Sequence, residues 1–599
     1  MQAPPLPHWD MTSIYPGLDT PEFEAGFEKT LQAVAELVAL FDAHGIDRPE
    51  TPPAVDVELI ARFEAVIAAY NRTLEELNTL RAYISSFVAT DSRNLLAQAR
   101  QSELQIRSLP VQMLTKRLIA WLGSLDEEAL CAQSEVARAH AFTLRVARVL
   151  AAHQLSPAEE KLISELQLTG SHAWAKFYST YASQITVEVP LPDGPVTLPM
   201  SAVRNLAFDA DREVRRRAYE AELQAWERHA LPIASALNSI KGETLRLAHK
   251  RGWASPLEQA LFENAIDAQT LDALQSAVRE ALPDFRRYLR AKARALELER
   301  LAWYDLFAPL SAAGRAWSFE EARAFILEVF GGYSPRLQDL AERAFREDWI
   351  DAEPRPGKRD GAFCMWVRGA ESRVLANFKP AFAGMSTLAH ELGHAYHNAV
   401  REGCTYLQRQ TPRTLAETAS IFCETLAQHA ALENASPEEQ KLILEASLQD
   451  SCQVVVDIAS RFIFEQGVFE RRAARELNAP ELCALMRQAQ LETYGDALDP
   501  EALHPYMWAV KPHYYGDTFY NFPYTFGLLF GLGLYARYQQ EPEAFRATYD
   551  QLLASTGLDD AAHLAARFGI DIRTPDFWRA SLDIIRADIA RFEALVGGE

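Results

Sequence analysis

A mainly α fold is predicted by three features of this 599-residue chain: helical apolar spacing over most of its length, long Ala/Leu/Glu/Arg stretches, and very few β-branched runs. From Thr20 to about Leu168 the pattern reads as successive amphipathic helices, with breaks near residues 44–53, 123–127 and 155–158. The clearest strand signal follows at Ile185-Thr-Val-Glu-Val-Pro-Leu-Pro-Asp-Gly-Pro-Val-Thr-Leu-Pro, where two short runs flank an Asp193-Gly194 turn and predict a hairpin. Helical spacing resumes at about Ser201 and holds to Glu347. Residues 352–385 form a second non-helical zone. It opens on the turn-rich Glu353-Pro-Arg-Pro-Gly-Lys-Arg-Asp-Gly and holds two candidate strands, residues 362–367 and 373–378. Everything after Ser386 reads as helix with short loops. A chain this long exceeds one hydrophobic core. The division expected is an N-terminal helical lobe, residues 1–200, and a larger lobe, residues 201–599, containing the small sheet.

Charge and targeting signals narrow the function classes. The formal net charge is -22, which repels nucleic acid and anionic lipid, so neither is an expected partner. Met1-Gln-Ala-Pro-Pro-Leu-Pro-His-Trp-Asp has no basic segment followed by an apolar one, so no signal peptide is expected. The longest apolar run, residues 522–536, is interrupted by Pro523, Thr525 and glycines and reads as a buried helix. Six scattered cysteines without a C-x-x-C pair point to free thiols in a reducing compartment, and a cytoplasmic location is expected. Basic clusters at residues 212–217 and 286–294 are interleaved with Glu213, Glu220 and Glu297, and read as solvated helix faces rather than an anion site.

Chemistry concentrates in Leu388-Ala-His390-Glu391-Leu-Gly-His394-Ala-Tyr-His397, an H-E-x-x-H motif. On a helix, residues four apart lie one turn above each other, so both imidazoles face one side, as a tetrahedral Zn²⁺ requires of two ligands. Glu391 sits where its carboxylate reaches a water on the metal rather than the metal itself. Ser386 or Thr387 would cap the helix, and Gly393, costing about 1 kcal/mol relative to alanine, implies close packing. About 0.03 chance matches are expected in a chain of this composition, so the motif is specific. A catalytic zinc needs a third protein ligand and an open position. A metzincin pattern would require Gly at 397 and His at 400; His397 and Val400 stand there. The following segment Thr411-Pro-Arg-Thr-Leu-Ala-Glu417-Thr-Ala-Ser-Ile-Phe-Cys-Glu424 predicts a helix with a Thr cap and Pro at its first position. Two aligned carboxylates on an apolar helix need partners: Glu417 as ligand and Glu424 as acceptor for a ligating imidazole supply them, or both are surface glutamates. His397, one turn beyond His394, could be a fourth ligand, but that would close the site, so it reads as a core residue or a support for the site.

Gly384-Met-Ser-Thr-Leu-Ala-His-Glu-Leu-Gly-His-Ala-Tyr-His followed by Leu415-Ala-Glu-Thr-Ala-Ser-Ile-Phe-Cys-Glu resembles the M3 peptidases, specifically their oligoendopeptidase F branch. Trp303-Tyr-Asp-Leu-Phe-Ala-Pro, Gly357-Lys-Arg-Asp-Gly-Ala-Phe-Cys, Leu375-Ala-Asn-Phe and a C-terminal His-Tyr cluster extend the likeness. The resemblance implies His390, His394 and Glu417 as ligands of one Zn²⁺ per chain and Glu391 as general base. It implies a multi-helix, clam-like peptidase with a deep central channel admitting oligopeptides, its N-terminal lobe of the oligoendopeptidase F kind and residues 201–599 the catalytic domain. From Lys511-Pro-His513-Tyr-Tyr-Gly-Asp-Thr-Phe-Tyr520-Asn-Phe-Pro-Tyr524 it implies one His and two Tyr for oxyanion stabilisation and substrate contact. His513, Tyr520 and Tyr524 are the choices, with Tyr514 or Tyr515 able to substitute. Residues 373–378 are read as an edge strand that pairs with an extended peptide, making Ala376 and Asn377 substrate-binding positions.

The expected function is a zinc metalloendopeptidase hydrolysing internal bonds of oligopeptides. A zinc carboxypeptidase of related helical architecture is the enzyme alternative. A non-catalytic, metal-containing peptide-binding protein is the other.

Overall fold

The computed structural model describes residues 5–311 and 315–597. In chain order the principal elements are α1 (Pro21–Ala43), α2 (Val57–Thr90), β1 (Thr186–Leu191), β2 (Gly194–Pro199), α3 (Arg212–Lys250), α4 (Ala268–Ala295), β3 (Ile350–Asp351), β4 (Phe363–Arg368) and β5 (Glu371–Leu375). They continue through α5 (Phe382–Val400), α6 (Arg413–Ala416), α7 (Thr418–Asn434), α8 (Ile458–Arg472), α9 (His513–Gly516), α10 (Phe522–Gln540) and α11 (Pro575–Gly597). The mainly α class is therefore observed, with two small sheets.

The chain folds into two compact units, each gathered from three segments: Met1–Gln154, Ala316–Ala430 and Arg537–Gly569 in the first, Leu155–Arg315, Ala431–Ala536 and Ile570–Glu599 in the second. Packing thus groups residues otherwise than a cut at residue 200, because helices far apart in sequence close each core.

In the first unit, Thr20 accepts a hydrogen bond from the Phe23 backbone N–H, and Pro21 starts α1 where a missing donor costs nothing. Phe23, Phe27 and Leu31 recur every fourth residue and pack with Phe63, Val66 and Tyr83 of α2 in one buried cluster. The sheet of this unit has the order β3-β5-β4, with β5 parallel to β3 and antiparallel to β4. Helix α5 packs on β4 and β5. The expected strands are both present, but β5 is central. Two residues of β3 pair along it, Ile350 with Val374 and Asp351 with Leu375, so residues 373–378 are not the edge strand expected. The edge strands of this sheet are β3 and β4, and Asn78 and Thr79 of α2 donate to the Trp366 and Val367 carbonyls of β4.

In the second unit the Asp193-Gly194 turn forms as expected, with Gly194 at a φ of 119 and Thr186 registered against Pro199. Val187 and Val189 point into a core shared with Trp226 and Ile233 of α3. The long α4 and α11 lie against each other. The two basic clusters are paired rather than merely solvated: Arg212 and Arg215 converge on buried Asp305, and Arg216 and Arg217 on Glu213. Arg286 donates to the backbone carbonyls of Glu492 and Thr493. The apolar run after Asn521 is the buried helix α10. Among the described residues no helix is long and apolar enough to cross a membrane. All six cysteines are unpaired.

Candidate metal centre

The capping position of helix α5 lies five to six residues earlier than expected. Ala381 occupies the capping position without a side-chain hydrogen bond. Ser386 and Thr387 lie inside the helix, where Thr387 donates to the Ala383 carbonyl and Ser386 to Glu424. The helix is buried on nearly every face, its residues including Met385, Leu388, Leu392 and Tyr396, which fixes its rotation. Two turns in, His390 and His394 share one side, with ring centroids 5.0 Å apart.

The partner segment also departs from expectation. Pro412, not Thr411, precedes α6, and that helix stops after one turn. Glu417 stands in the break before α7 at φ -88 and ψ 6. It is therefore not on one continuous helix with Glu424, yet both reach the same histidine. Glu417 Oε2 lies 3.3 Å from His390 Nε2 and 3.3 Å from His394 Nε2. Glu424 Oε2 lies 2.9 Å from His390 Nδ1. Ser420 donates to Glu417 at 2.7 Å, and Ser386 donates to the other Glu424 oxygen at 3.0 Å. Hydrogen-bonded acceptors on the far side of a histidine fix its tautomer and aim the opposite nitrogen at a metal.

Gly393 explains how the two segments come so close. A Cβ there would meet the Ala419 carbonyl oxygen and the Ser420 Cα, each at 2.7 Å. Both atoms are backbone of α7, so a methyl group cannot be absorbed by side-chain rotation. Gly393→Ala is expected to cost about 1–3 kcal/mol of stability and to lower metal occupancy, read together by thermal melting and metal analysis. Unchanged melting and occupancy would remove the close approach as a constraint.

One ligand atom each from His390, His394 and Glu417 lies within 4.8 Å of the other two, a donor set suited to a divalent cation. Burial opposes a charge on His390, yet Glu417 and Glu424 hold its imidazolium form well above the usual histidine range. Burial likewise opposes charge on Glu417, but hydrogen bonds to both imidazoles keep its carboxyl well below the ordinary range. This much negative charge around two imidazoles is what a cation would neutralise. Beside them, Glu391 is 5% exposed. Its Oε2 is buried without a hydrogen-bond partner, so no hydrogen bond offsets its desolvation. Burial raises the Glu391 carboxyl above the usual range, with the imidazoles partly offsetting it. The residues fit a metal with a water beside it.

His397 is not part of this group. It donates or accepts at 2.8 Å with Thr556, and burial, with Arg401 and His394, depresses its pKa to about 3. A second cluster, Asp559, Asp560 and His563, has ordinary work: Asp559 pairs with Arg145, and Asp560 caps a short helix.

The strand residues chosen for substrate are occupied otherwise. Ala376 is buried; its N–H donates to Asp351 and its carbonyl accepts from Lys358. The Asn377 side chain donates to the carbonyls of Arg359 and Gly361. The backbone groups of Ala376 are thus taken by β3 and by Lys358, and the Asn377 side-chain amide by the turn after β3.

In the second unit His513, Tyr520 and Tyr524 come together, with centroids 5.1 Å (His513–Tyr520), 6.0 Å (His513–Tyr524) and 4.9 Å (Tyr520–Tyr524) apart. Tyr514 and Tyr515 do not join them. Tyr514 packs on Phe464 in the core, and Tyr515 stacks on Tyr178 at 3.5 Å while donating to the Trp508 carbonyl. Both side chains are buried in the core and anchor α9 there.

Glu424→Ala removes the acceptor on His390 while leaving every ligand. A fall of about 10–100-fold in metal affinity is expected, measured by titrating a competing chelator; unaltered affinity would show that His390 needs no such support.

Comparison with known proteins gives the family. The family model described as Peptidase family M3 matches residues 205–584, and that described as Oligopeptidase F matches residues 122–186. An oligoendopeptidase F homolog of Lactococcus lactis subsp. lactis is 27% identical over 455 residues, spanning 74% of this chain and 75% of its own. Oligopeptidase PepF of Bacillus subtilis is 22% identical over 602 residues, spanning 98% and 87%. A crystal structure from Chlamydophila abortus superposes with a TM-score of 0.81 at 22% identity, covering 98% of each chain. That of oligoendopeptidase-F from Enterococcus faecium gives 0.66 at 19% identity, over 96% of this chain and 99% of its own. With residues 205–584 matched to the family model and the fold shared over 98% of the chain, the chain belongs to peptidase family M3, in its oligoendopeptidase F branch.

Proposed function

We propose that this M3 peptidase is a zinc metalloendopeptidase that cuts internal bonds of oligopeptides. The observation that carries the reading is the convergence of His390, His394 and Glu417 beside the unpartnered carboxylate oxygen of Glu391. Those three residues would hold one Zn²⁺ per chain, which would supply Lewis-acid chemistry able to lower the pKa of a water to about 7. Glu391 takes a proton from the attacking water and passes it to the leaving amine. Its burial suits it to both acts, since a carboxyl with a raised pKa holds a proton more readily. Glu424 and Ser420 keep the imidazole and the carboxylate aimed. His513, Tyr520 and Tyr524 are assigned as donors to the oxyanion of the tetrahedral intermediate. Three ligands leave a coordination position open, which a closed structural site lacks, and this weighs against a non-catalytic binding protein.

Oligopeptides are the proposed partners. The net charge of -22 disfavours nucleic acid and anionic membrane. A cytoplasmic location fits the six free thiols. Residues 1–200 are proposed as the family's N-terminal region and residues 201–599 as its catalytic domain, the latter nearly coincident with the Peptidase family M3 match.

The test is an internally quenched peptide blocked at its C-terminus, incubated with protein before and after chelator treatment. Internal cleavage that chelator abolishes and Zn²⁺ restores is expected. Cleavage only of the unblocked peptide would instead assign a carboxypeptidase, and chelator-insensitive cleavage would remove the metal from the reaction.

A further inference from the structure

We propose that the buried pair Lys241–Glu465 is a positioning clamp that sets the loop between His513 and Tyr524. The pair bridges α3 and α8 at 2.6 Å, and its side chains are 1% and 2% exposed. Burying two charges is costly, and an apolar pair of similar volume often serves stability as well. What this pair does beyond attraction is bind backbone. Lys241 donates to the carbonyl of Asp517 at 3.0 Å. One Glu465 oxygen accepts from the Phe519 N–H at 3.1 Å, and the other accepts from Asn521 Nδ2 at 2.8 Å. Three points of a five-residue loop are thus fixed by two side chains from elsewhere in the sequence.

The loop needs such fixing. Phe519 has a φ of 51, in the left-handed region that a bulky residue without glycine's freedom seldom adopts. Its ring is packed against Phe462 and Phe469 of α8, and the Lys241 ammonium lies 5.1 Å from the Phe469 ring centre. Immediately after it, Asn521 accepts from the Phe522 N–H and so opens α10, with Tyr524 in its first turn. Tyr520 therefore sits between a strained residue and a helix cap, both held by Glu465. On the other side, the Asp517 N–H donates to the His513 carbonyl, so the Lys241 contact reaches α9 as well. The inference rests on the proposed role of His513, Tyr520 and Tyr524.

The test compares the double variant Lys241→Met/Glu465→Leu with Asn521→Ser, which keeps a capping hydroxyl but drops the link to Glu465. His513→Ala and Tyr520→Phe are assayed beside them, all metal-loaded. A misplacement of about 1 Å costs about 10²-fold in rate, so kcat of the double variant is expected to fall by that order. Its KM and zinc content should stay near wild type, and Asn521→Ser should fall in the same direction by less. Purely structural damage would instead move KM and metal content with kcat. If the double variant does not fold, Asn521→Ser alone decides. Wild-type kcat in a folded clamp variant, with His513→Ala still impaired, overturns the clamp. Wild-type kcat in His513→Ala and Tyr520→Phe overturns the underlying assignment and the clamp with it.

Discussion

Glu391→Gln is expected to bind metal as the wild type does and to turn over peptide about 10²–10⁴-fold more slowly, equivalent to about 3–5 kcal/mol of lost transition-state stabilisation. The substitution preserves shape and removes only the base. Glu391 lies outside the donor group of His390, His394 and Glu417, so loading should be unaffected. Its buried oxygen has no protein partner to lose, and removing a buried carboxylate relieves desolvation, so the melting temperature should not fall. Zinc analysis and kcat/KM on the same preparation separate these effects. Wild-type turnover at full loading would take the proton transfer away from Glu391.

Glu417→Ala should act through the metal instead. The side chain touches both imidazoles at 3.3 Å and is held by Ser420, so its removal leaves two nitrogens and no carboxylate. The loss of affinity should exceed the about 10–100-fold expected for Glu424→Ala, which removes only the outer hydrogen bonds to His390 and Ser386. Activity should disappear after dialysis and return, in part, at high added Zn²⁺. A variant that keeps stoichiometric zinc through dialysis would show that Glu417 is not a ligand.

The sequence discloses those features of the site that local geometry governs. His390 and His394 are four apart on one helix, and any α-helix brings such a pair together. Glu417 and Glu424 were conspicuous as carboxylates in an apolar segment, and Gly393 as a helix-weakening residue with a packing reason. The start of α5 was hidden, because Gly384 in its first turn disguises a helix whose stability comes from burial on nearly every face. The break at Glu417 was hidden too, since Thr-Pro at 411–412 is a good helix start displaced by one residue. The position of β5 depended on a partner only two residues long, Ile350–Asp351, which no periodicity reveals. Residue type could not separate Tyr514 and Tyr515 from Tyr520 and Tyr524; only burial does. Lys241 and Glu465 are 224 residues apart, and nothing local marks either as the other's partner.

We propose that two imidazoles and one carboxylate, from α5 and the break before α7, hold a single zinc ion and leave room for solvent. Anomalous diffraction at the zinc edge from crystals of the metal-loaded protein tests it most directly. One peak per chain within bonding distance of His390 Nε2, His394 Nε2 and a Glu417 oxygen is the expected result. A peak elsewhere, or none in crystals of active enzyme, would contradict it.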